Sequence, residues 1–156
     1  MCGIIGISSS KSVSANIINS LKKLEYRGYD SAGVATLFNG QLNEVKSEGR
    51  VDNLEQNFDL KSLKGNIGIG HVRWATHGVP NSINAHPHSS DNVSVVHNGI
   101  IENSTILKKH LINKGHNFKS QTDTEVIVHL ITENLKTMEL EEAITKTLKQ
   151  LHGSFA

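Results

Sequence analysis

Apolar residues fall into short runs in the first part of the chain and into helical stripes in the last third. Cys2 to Ser8 (CGIIGIS) is short, apolar and β-branched, which predicts a buried strand. Val13, Ile17, Leu21 and Leu24 then repeat at helical spacing. They predict a helix over Ser12–Tyr26 with serines as N-cap candidates and Gly28 as its terminator. In VATLFNGQLNEV, two strand-like runs flank Asn39-Gly40, a dipeptide that favours positive φ at both central positions of a turn, so a hairpin is expected. IGIGHVR (67–73) and NVSVVHN (92–98) read as further core strands, separated by a loop of polar and turn residues over 74–91.

The last third reads as three helices. Asn103 caps a run through Leu107 and Leu111 that stops at Gly115. Thr122 and Glu125 fit a capping box, followed by a stripe of Val126, Leu130, Ile131 and Leu135. A second stripe, Leu140, Ile144, Leu148 and Leu151, is expected to face the core and to stop near Gly153. Strands early and helices late predict an α+β fold rather than a strict βαβ alternation. His152–Ala156 looks like the start of one more strand, so the chain is expected to be a C-terminally truncated piece of a single domain over 1–156.

Composition narrows the classes. The chain has 156 residues, about one domain's worth, and 16 Lys+Arg against 15 Asp+Glu leave a net charge of +1. That balance gives no reason to expect nucleic acid or an anionic membrane as partner. No window approaches the roughly 20 apolar residues of a membrane span, and the N-terminus lacks a basic region followed by an apolar core. One cysteine forms no internal disulfide, so a cytoplasmic location is the default.

That cysteine, Cys2, follows the initiator methionine. As a small apolar side chain it would serve a core strand. Its position permits another use. If Met1 is removed, one residue carries both a thiol, with a reference pKa of about 8.5, and an α-amine, with a reference pKa of about 7.7–8.0. Nucleophile and base would then sit together. Asn98-Gly99 ends a strand and could supply an amide and a backbone N–H to an oxyanion, or could simply be a turn. Arg73 could grip a carboxylate with Thr76 and His77 as further donors and Trp74 as a cover, or could be a surface cation beside a core tryptophan. Asp123 could hold an ammonium group or favour a helix N-terminus. An Arg for a carboxylate and an Asp for an ammonium would together describe a free α-amino acid. Nine histidines raise the question of metal, but no Cys pair or His-Glu-x-x-His pattern accompanies them, and no metal or cofactor is expected.

Six segments recur in one order: CGIIGI at the start, LEYRGYDSAG at 24–33, HVRWATHG at 71–78, NAHPH at 84–88, VVHNGIIEN at 95–103 and TDTEV at 122–126. Together they resemble the glutaminase domain of the glutamine–fructose-6-phosphate aminotransferases (isomerising), the glucosamine-6-phosphate synthases, which are class II amidotransferases. The resemblance implies an N-terminal-nucleophile hydrolase fold, a four-layer αββα sandwich. It implies that Cys2, freed of Met1, attacks the side-chain amide of L-glutamine, with Asn98 and Gly99 as oxyanion hole. Arg73, Thr76 and His77 match residues around the glutamine α-carboxylate, and Asp123 matches the residue for its α-ammonium. Trp74 matches a gate on the ammonia path, and Arg27 lies in a segment bordering the site. Sugar-isomerase domains that bind fructose 6-phosphate, absent here, would follow, and a homodimer is implied for the full-length enzyme. Two other readings stand beside this one: a non-catalytic relic that binds an amino acid or a partner, and another class II enzyme such as an amidophosphoribosyltransferase.

Overall fold

The computed structural model describes residues 1–156. Strand β1 (Gly3–Ser8) leads to helix α1 (Ser14–Leu24), a 3-10 turn over Glu25–Arg27, and a hairpin of β2 (Ser31–Phe38) and β3 (Gln41–Glu48). Helix α2 (Val51–Asn57) precedes β4 (Ile67–Arg73). Short strands β5 (His88–Ser90), β6 (Val93–Val95) and β7 (Gly99–Ile101) follow. Helices α3 (Ser104–Asn113), α4 (Glu125–Leu135) and α5 (Leu140–Gln150) and strand β8 (Gly153–Phe155) complete the chain. No helix is long and apolar enough to cross a membrane.

Four strands form an antiparallel sheet in the order β1-β4-β2-β3. Its hairpin turns at the Asn-Gly pair: Asn39 and Gly40 have φ of 50° and 76°, and Phe38 pairs with Gln41 across them. Alternation along β4 gives its two faces different neighbours. Gly70 faces α1, where a Cβ would stand 2.5 Å from Ile17 Cγ2, so glycine lets the helix lie close on the sheet. On that side Val13, Ile17, Leu21, Val34, Leu54 and Val72 belong to one buried cluster. Burying each of these side chains stabilises the fold by about 1.5–3 kcal/mol. His71, one residue on from Gly70, points to the opposite face and stacks on His86.

That opposite face carries two antiparallel ribbons, β5-β6 and β7-β8. Helices α3, α4 and α5 back them through a second core that includes Ile101, Leu107, Leu111, Val126, Leu130 and Leu151. The order is therefore helix, sheet, sheet, helix, with two ribbons making up the second β layer.

Several local expectations are corrected. No serine caps α1; Val13 occupies the N-cap position with no side-chain cap, and its own N–H donates to Gly65 O at 3.0 Å. Gly28 has an extended φ of 169°, and a Cβ there would lie 2.5 Å from the Arg73 carbonyl. Its glycine thus serves close approach rather than a left-handed cap. The capping box does not form: Thr124 is the N-cap of α4, and Glu125 accepts from the N–H groups of Lys119 and Ser120 at 2.8 and 2.7 Å. Asn103 does sit at the N-cap of α3, but its amide donates to Gln150 O at 2.8 Å and accepts from His152 N–H at 3.0 Å. Of the stripe expected to face the core, Leu151 does so, but the members within α5 face outward: Leu140, Ile144 and Leu148 are 58%, 38% and 48% exposed. The helix packs on α4 through Ala143 and Thr147, and Asn134 Nδ2 donates to Thr147 Oγ1 at 3.1 Å. Small residues allow that approach where leucines would hold the helices apart. Finally, α2 and β5 occupy stretches to which the pattern assigned no element, and the run 92–98 keeps strand geometry only over β6.

Candidate active site

Register places the thiol. Gly3 pairs with Val72, so Cys2 comes level with Arg73 and Trp74 at the end of β4. Trp74 N–H donates to Cys2 Sγ at 3.4 Å, and Sγ lies 3.7 Å from Trp74 O, to which the thiol donates. On the other side, Cys2 N donates to Asn98 Oδ1 at 3.2 Å. That bond fixes which end of the Asn98 amide faces which way: the oxygen holds the Cys2 nitrogen, and the NH₂ remains as a donor.

The second donor follows from the β7-β8 ladder. Asn98 and Ala156 exchange both backbone hydrogen bonds at 2.9 Å, and Glu102 N–H bonds His152 O at 2.9 Å. Donors alternate sides along an antiparallel strand, so the N–H groups of Gly99 and Ile101 point away from β8. Ile101 N–H meets Asp123 Oδ2 at 2.7 Å. Gly99 N–H opens on that same side, where Cys2, Gly99 and Asp123 line a common narrow cleft of about 20 Å³ with Arg73, Trp74, Thr76 and His77. Only glycine suits position 99: its φ is 147°, and a Cβ would stand 2.0 Å from Ser154 O.

Arg73 is 3% exposed, and its guanidinium donates to His77 O, to Gly78 O at 3.1 Å and to Val79 O at 3.5 Å. It therefore holds the 77–79 loop by its carbonyls. Asp30 secures the near end of the same loop: it accepts from Ala75 N–H and lies 4.0 Å from Arg73 Nη1. Thr76 and His77 are exposed at the mouth, with Thr76 Oγ1 3.3 Å from His77 Nδ1, and Trp74 is also exposed there. Arg27 stands outside the cleft lining; its Nε donates to Tyr26 OH at 3.3 Å. Its segment meets the site through Gly28, packed on the Arg73–Trp74 backbone.

Burial pushes the Cys2 thiol up from its ordinary pKa, and the Trp74 N–H, the chain's positive terminus and Arg73 oppose that shift. Behind the cleft four imidazoles are buried together. His71 Nε2 meets His97 O at 3.0 Å, which requires the proton on Nε2. His97 N–H donates to His86 Nδ1 at 3.3 Å, and His97 Nδ1 pairs with Thr124 Oγ1 at 2.8 Å. His88 Nε2 pairs with Thr122 Oγ1 at 2.9 Å. Burial lowers His71 and His88 to about 3 and His86 well below its ordinary value, so these rings are neutral. No group of three or more His, Cys, Asp or Glu side chains is arranged to hold a metal ion.

Sequence reasoning brought Cys2, Asn98, Gly99, Arg73, Trp74, Thr76, His77 and Asp123 to the site and passed over others. Asp30 lies inside the segment LEYRGYDSAG, but nothing in its spacing announces a bond to a loop more than forty residues away. His86, His97, Thr122 and Thr124 also line the cleft. The two histidines, whose type raised the question of metal, bond a backbone N–H (His86) and the Thr124 hydroxyl (His97).

Comparison with known proteins points to one family. A family model described as a glutamine amidotransferase domain matches residues 71–156. Glutamine–fructose-6-phosphate aminotransferase (isomerizing) of Bartonella henselae is 53% identical over all of this chain, which covers 26% of that protein. The protein of the same name from Pyrococcus horikoshii is 53% identical, again over the whole chain and 27% of the relative. The chain thus spans about a quarter of the length of these relatives. Among solved structures, the glutamine phosphoribosylpyrophosphate amidotransferase of B. subtilis, complexed with ADP and GMP, superposes with a TM-score of 0.86 at 32% identity. A structure described as the allosteric regulatory enzyme of purine biosynthesis gives a TM-score of 0.87, also at 32% identity. Each covers 100% of this chain, which in turn covers 34% of each of those chains. The helix–sheet–sheet–helix order is that of the N-terminal-nucleophile amidotransferases.

Proposed function

The chain belongs to the glutamine amidotransferase domain family, and from that premise we propose that it releases ammonia from L-glutamine through a thioester on Cys2. The observation that carries this reading is the double anchorage of one residue: Cys2 nitrogen on Asn98 Oδ1 and Cys2 sulfur on Trp74 N–H. Met1 is 79% exposed, within reach of an aminopeptidase. Its removal turns the Cys2 amide into an α-amine already held beside its own sulfur.

The amine takes the thiol proton, and sulfur adds to the amide carbon of glutamine. The resulting oxyanion receives the Asn98 NH₂ and the Gly99 N–H, a pair of preorganised donors of the kind that stabilises such charge. The protonated amine returns its proton to the leaving nitrogen; the C–N bond breaks, ammonia departs past Trp74, and a γ-glutamyl thioester remains. Water, deprotonated by the amine, adds to the thioester; glutamate leaves and the thiol is restored. Thr76, His77 and the loop held by Arg73 receive the substrate α-carboxylate, and Asp123 receives the α-ammonium. Arg27 takes no part in bond making and belongs to the border of the site.

In the whole protein the ammonia is delivered to fructose 6-phosphate by sugar-binding domains beyond this chain, yielding glucosamine 6-phosphate. Identity of 53% to the fructose-6-phosphate enzymes against 32% to the phosphoribosylpyrophosphate amidotransferase supports that acceptor. We place the full-length enzyme in the cytoplasm as a homodimer, requiring no metal or organic cofactor for glutamine hydrolysis. The test is glutamate release by the full-length protein. Cys2→Ala is expected to reduce it to background with the fold intact by circular dichroism; unchanged turnover refutes the mechanism. Labelling of Cys2 by a glutamine-like electrophile separates this reading from that of a relic domain.

A further inference from the structure

Asn84 joins the two sides of the cleft without lining it. The residue is 1% exposed, and its whole side chain is engaged. Nδ2 donates to Val79 O at 2.9 Å and to Gln121 Oε1 at 3.2 Å, while Oδ1 accepts from Gln121 N–H at 2.9 Å. Its own N–H donates to Asn81 Oδ1 at 2.8 Å, so its backbone is fixed as well. Val79 O, on one side, is also an acceptor for Arg73 at 3.5 Å and ends the loop that carries Thr76 and His77. Gln121, on the other, stands two residues before Asp123. Gly78 closes the contact: with φ of 79°, a Cβ there would lie 2.7 Å from Asn84 Nδ2 and 3.0 Å from Gln121 Cβ, so loop backbone rests directly on the bridge.

We infer that Asn84 is a positioning residue for the amino-acid substrate, fixing the distance between the loop of Thr76 and His77 and the turn of Asp123. The inference rests on the proposed reading that these two segments grip the α-carboxylate and α-ammonium of glutamine. Only an amide meets the requirement, since two acceptors and one donor converge on a buried point. A carboxylate would present oxygen to the Val79 carbonyl, which is fixed as an acceptor, and an apolar residue would leave buried groups unpaired. Cys2, Asn98 and Gly99 are held by other bonds. Loss of the bridge therefore loosens substrate binding and spares the chemical step, which appears as a KM effect without a kcat effect.

The experiment uses the full-length protein and compares wild type, Asn84→Ala, Gln121→Ala and the double variant in glutamine hydrolysis. Gln121 is exposed, so its truncation removes the side-chain bond at that end of the bridge, leaving the backbone one, with little risk to the fold. Asn84→Ala is expected to raise KM about tenfold, equivalent to about 1.4 kcal/mol, with kcat within about twofold. Gln121→Ala is expected to raise KM by a smaller factor, and the double variant to equal Asn84→Ala because the bond is shared. Alkylation of Cys2 by iodoacetamide should keep its wild-type rate. KM values within twofold of wild type overturn the inference, as does a parallel fall in kcat and iodoacetamide reactivity, which marks general loosening. Wild-type protein that releases no glutamate overturns the underlying reading and the inference with it; active wild type with unmoved KM overturns the inference alone.

Discussion

Asn98 serves one partner and is proposed to serve a second with the same amide: its oxygen accepts from the nitrogen of Cys2, and its NH₂ is left free for the oxyanion of the proposed reaction. Separating the two is possible by substitution. Asn98→Asp keeps an acceptor for the Cys2 nitrogen and removes the donor, so kcat for glutamine hydrolysis should fall about 10²–10³-fold while Cys2 still reacts with iodoacetamide. A kcat within a factor of three of wild type would show that the amide donates nothing to the reaction. The sequence made Asn98-Gly99 a plausible donor pair because an amide and a glycine N–H end a strand. It did not show that Gly99 N–H opens on the cleft rather than on β8, since that depends on which residues of β8 exchange bonds with Asn98. Arg73 is the converse case. Its charge suggested a substrate carboxylate; the side chain also bonds three carbonyls of its own loop beside the carboxylate of Asp30, a local arrangement that no residue spacing encodes.

Elements were legible where a short-range pattern decides them. The Asn39-Gly40 hairpin, β1, β4 and the bodies of the late helices follow from turn chemistry and periodicity. Their ends and facings did not, because tertiary contacts settled those. Glu125 and Thr122 have capping-box spacing, yet the Glu125 carboxylate is drawn to the backbone of residues 119–120 and Thr122 to His88. In α5 the periodic leucines lost the inner face to Ala143 and Thr147, whose small size suits α4. Gly28 was legible as an interruption but for a different reason. Since a Cβ there would overlap the Arg73 carbonyl at 2.5 Å, Gly28→Ala should push the 3-10 turn away from β4. A loss of about 1–3 kcal/mol is expected, read as a lowered Tm, together with reduced glutamine hydrolysis because Trp74 shares the contact. An unaltered Tm would mean that the turn yields without cost.

At the scale of the molecule, the two β layers meet over buried neutral imidazoles, and this makes stability depend on pH. The unfolded chain takes up protons on these histidines as pH falls below about 6.5, the ordinary value, whereas the folded protein does not until about 3 for His71 and His88. The unfolded state therefore binds more protons between those limits, and stability falls on acidification by about 1.4 kcal/mol per imidazole per pH unit. Glu125 adds to the loss in a lower window. Burial raises its carboxyl, but the nearby His129 and the N–H groups of Lys119 and Ser120 outweigh that and hold it at about 2. Its contribution is present above its ordinary 4.5 and disappears as pH falls from there toward 2. Urea midpoints should change little between pH 7.5 and 6.5 and drop steeply below; a midpoint that rises on acidification contradicts the buried neutral assignment.

The ladder between β7 and β8 ties the Asn98-Gly99 peptide to a distant stretch of chain, for Ala156 grips Asn98 by both backbone groups. A hand on residues 153–156 is therefore a hand on Asn98 and Gly99: if these are the oxyanion donors proposed above, whatever tugs, binds or stiffens that ribbon should be felt at the sulfur without coming near it.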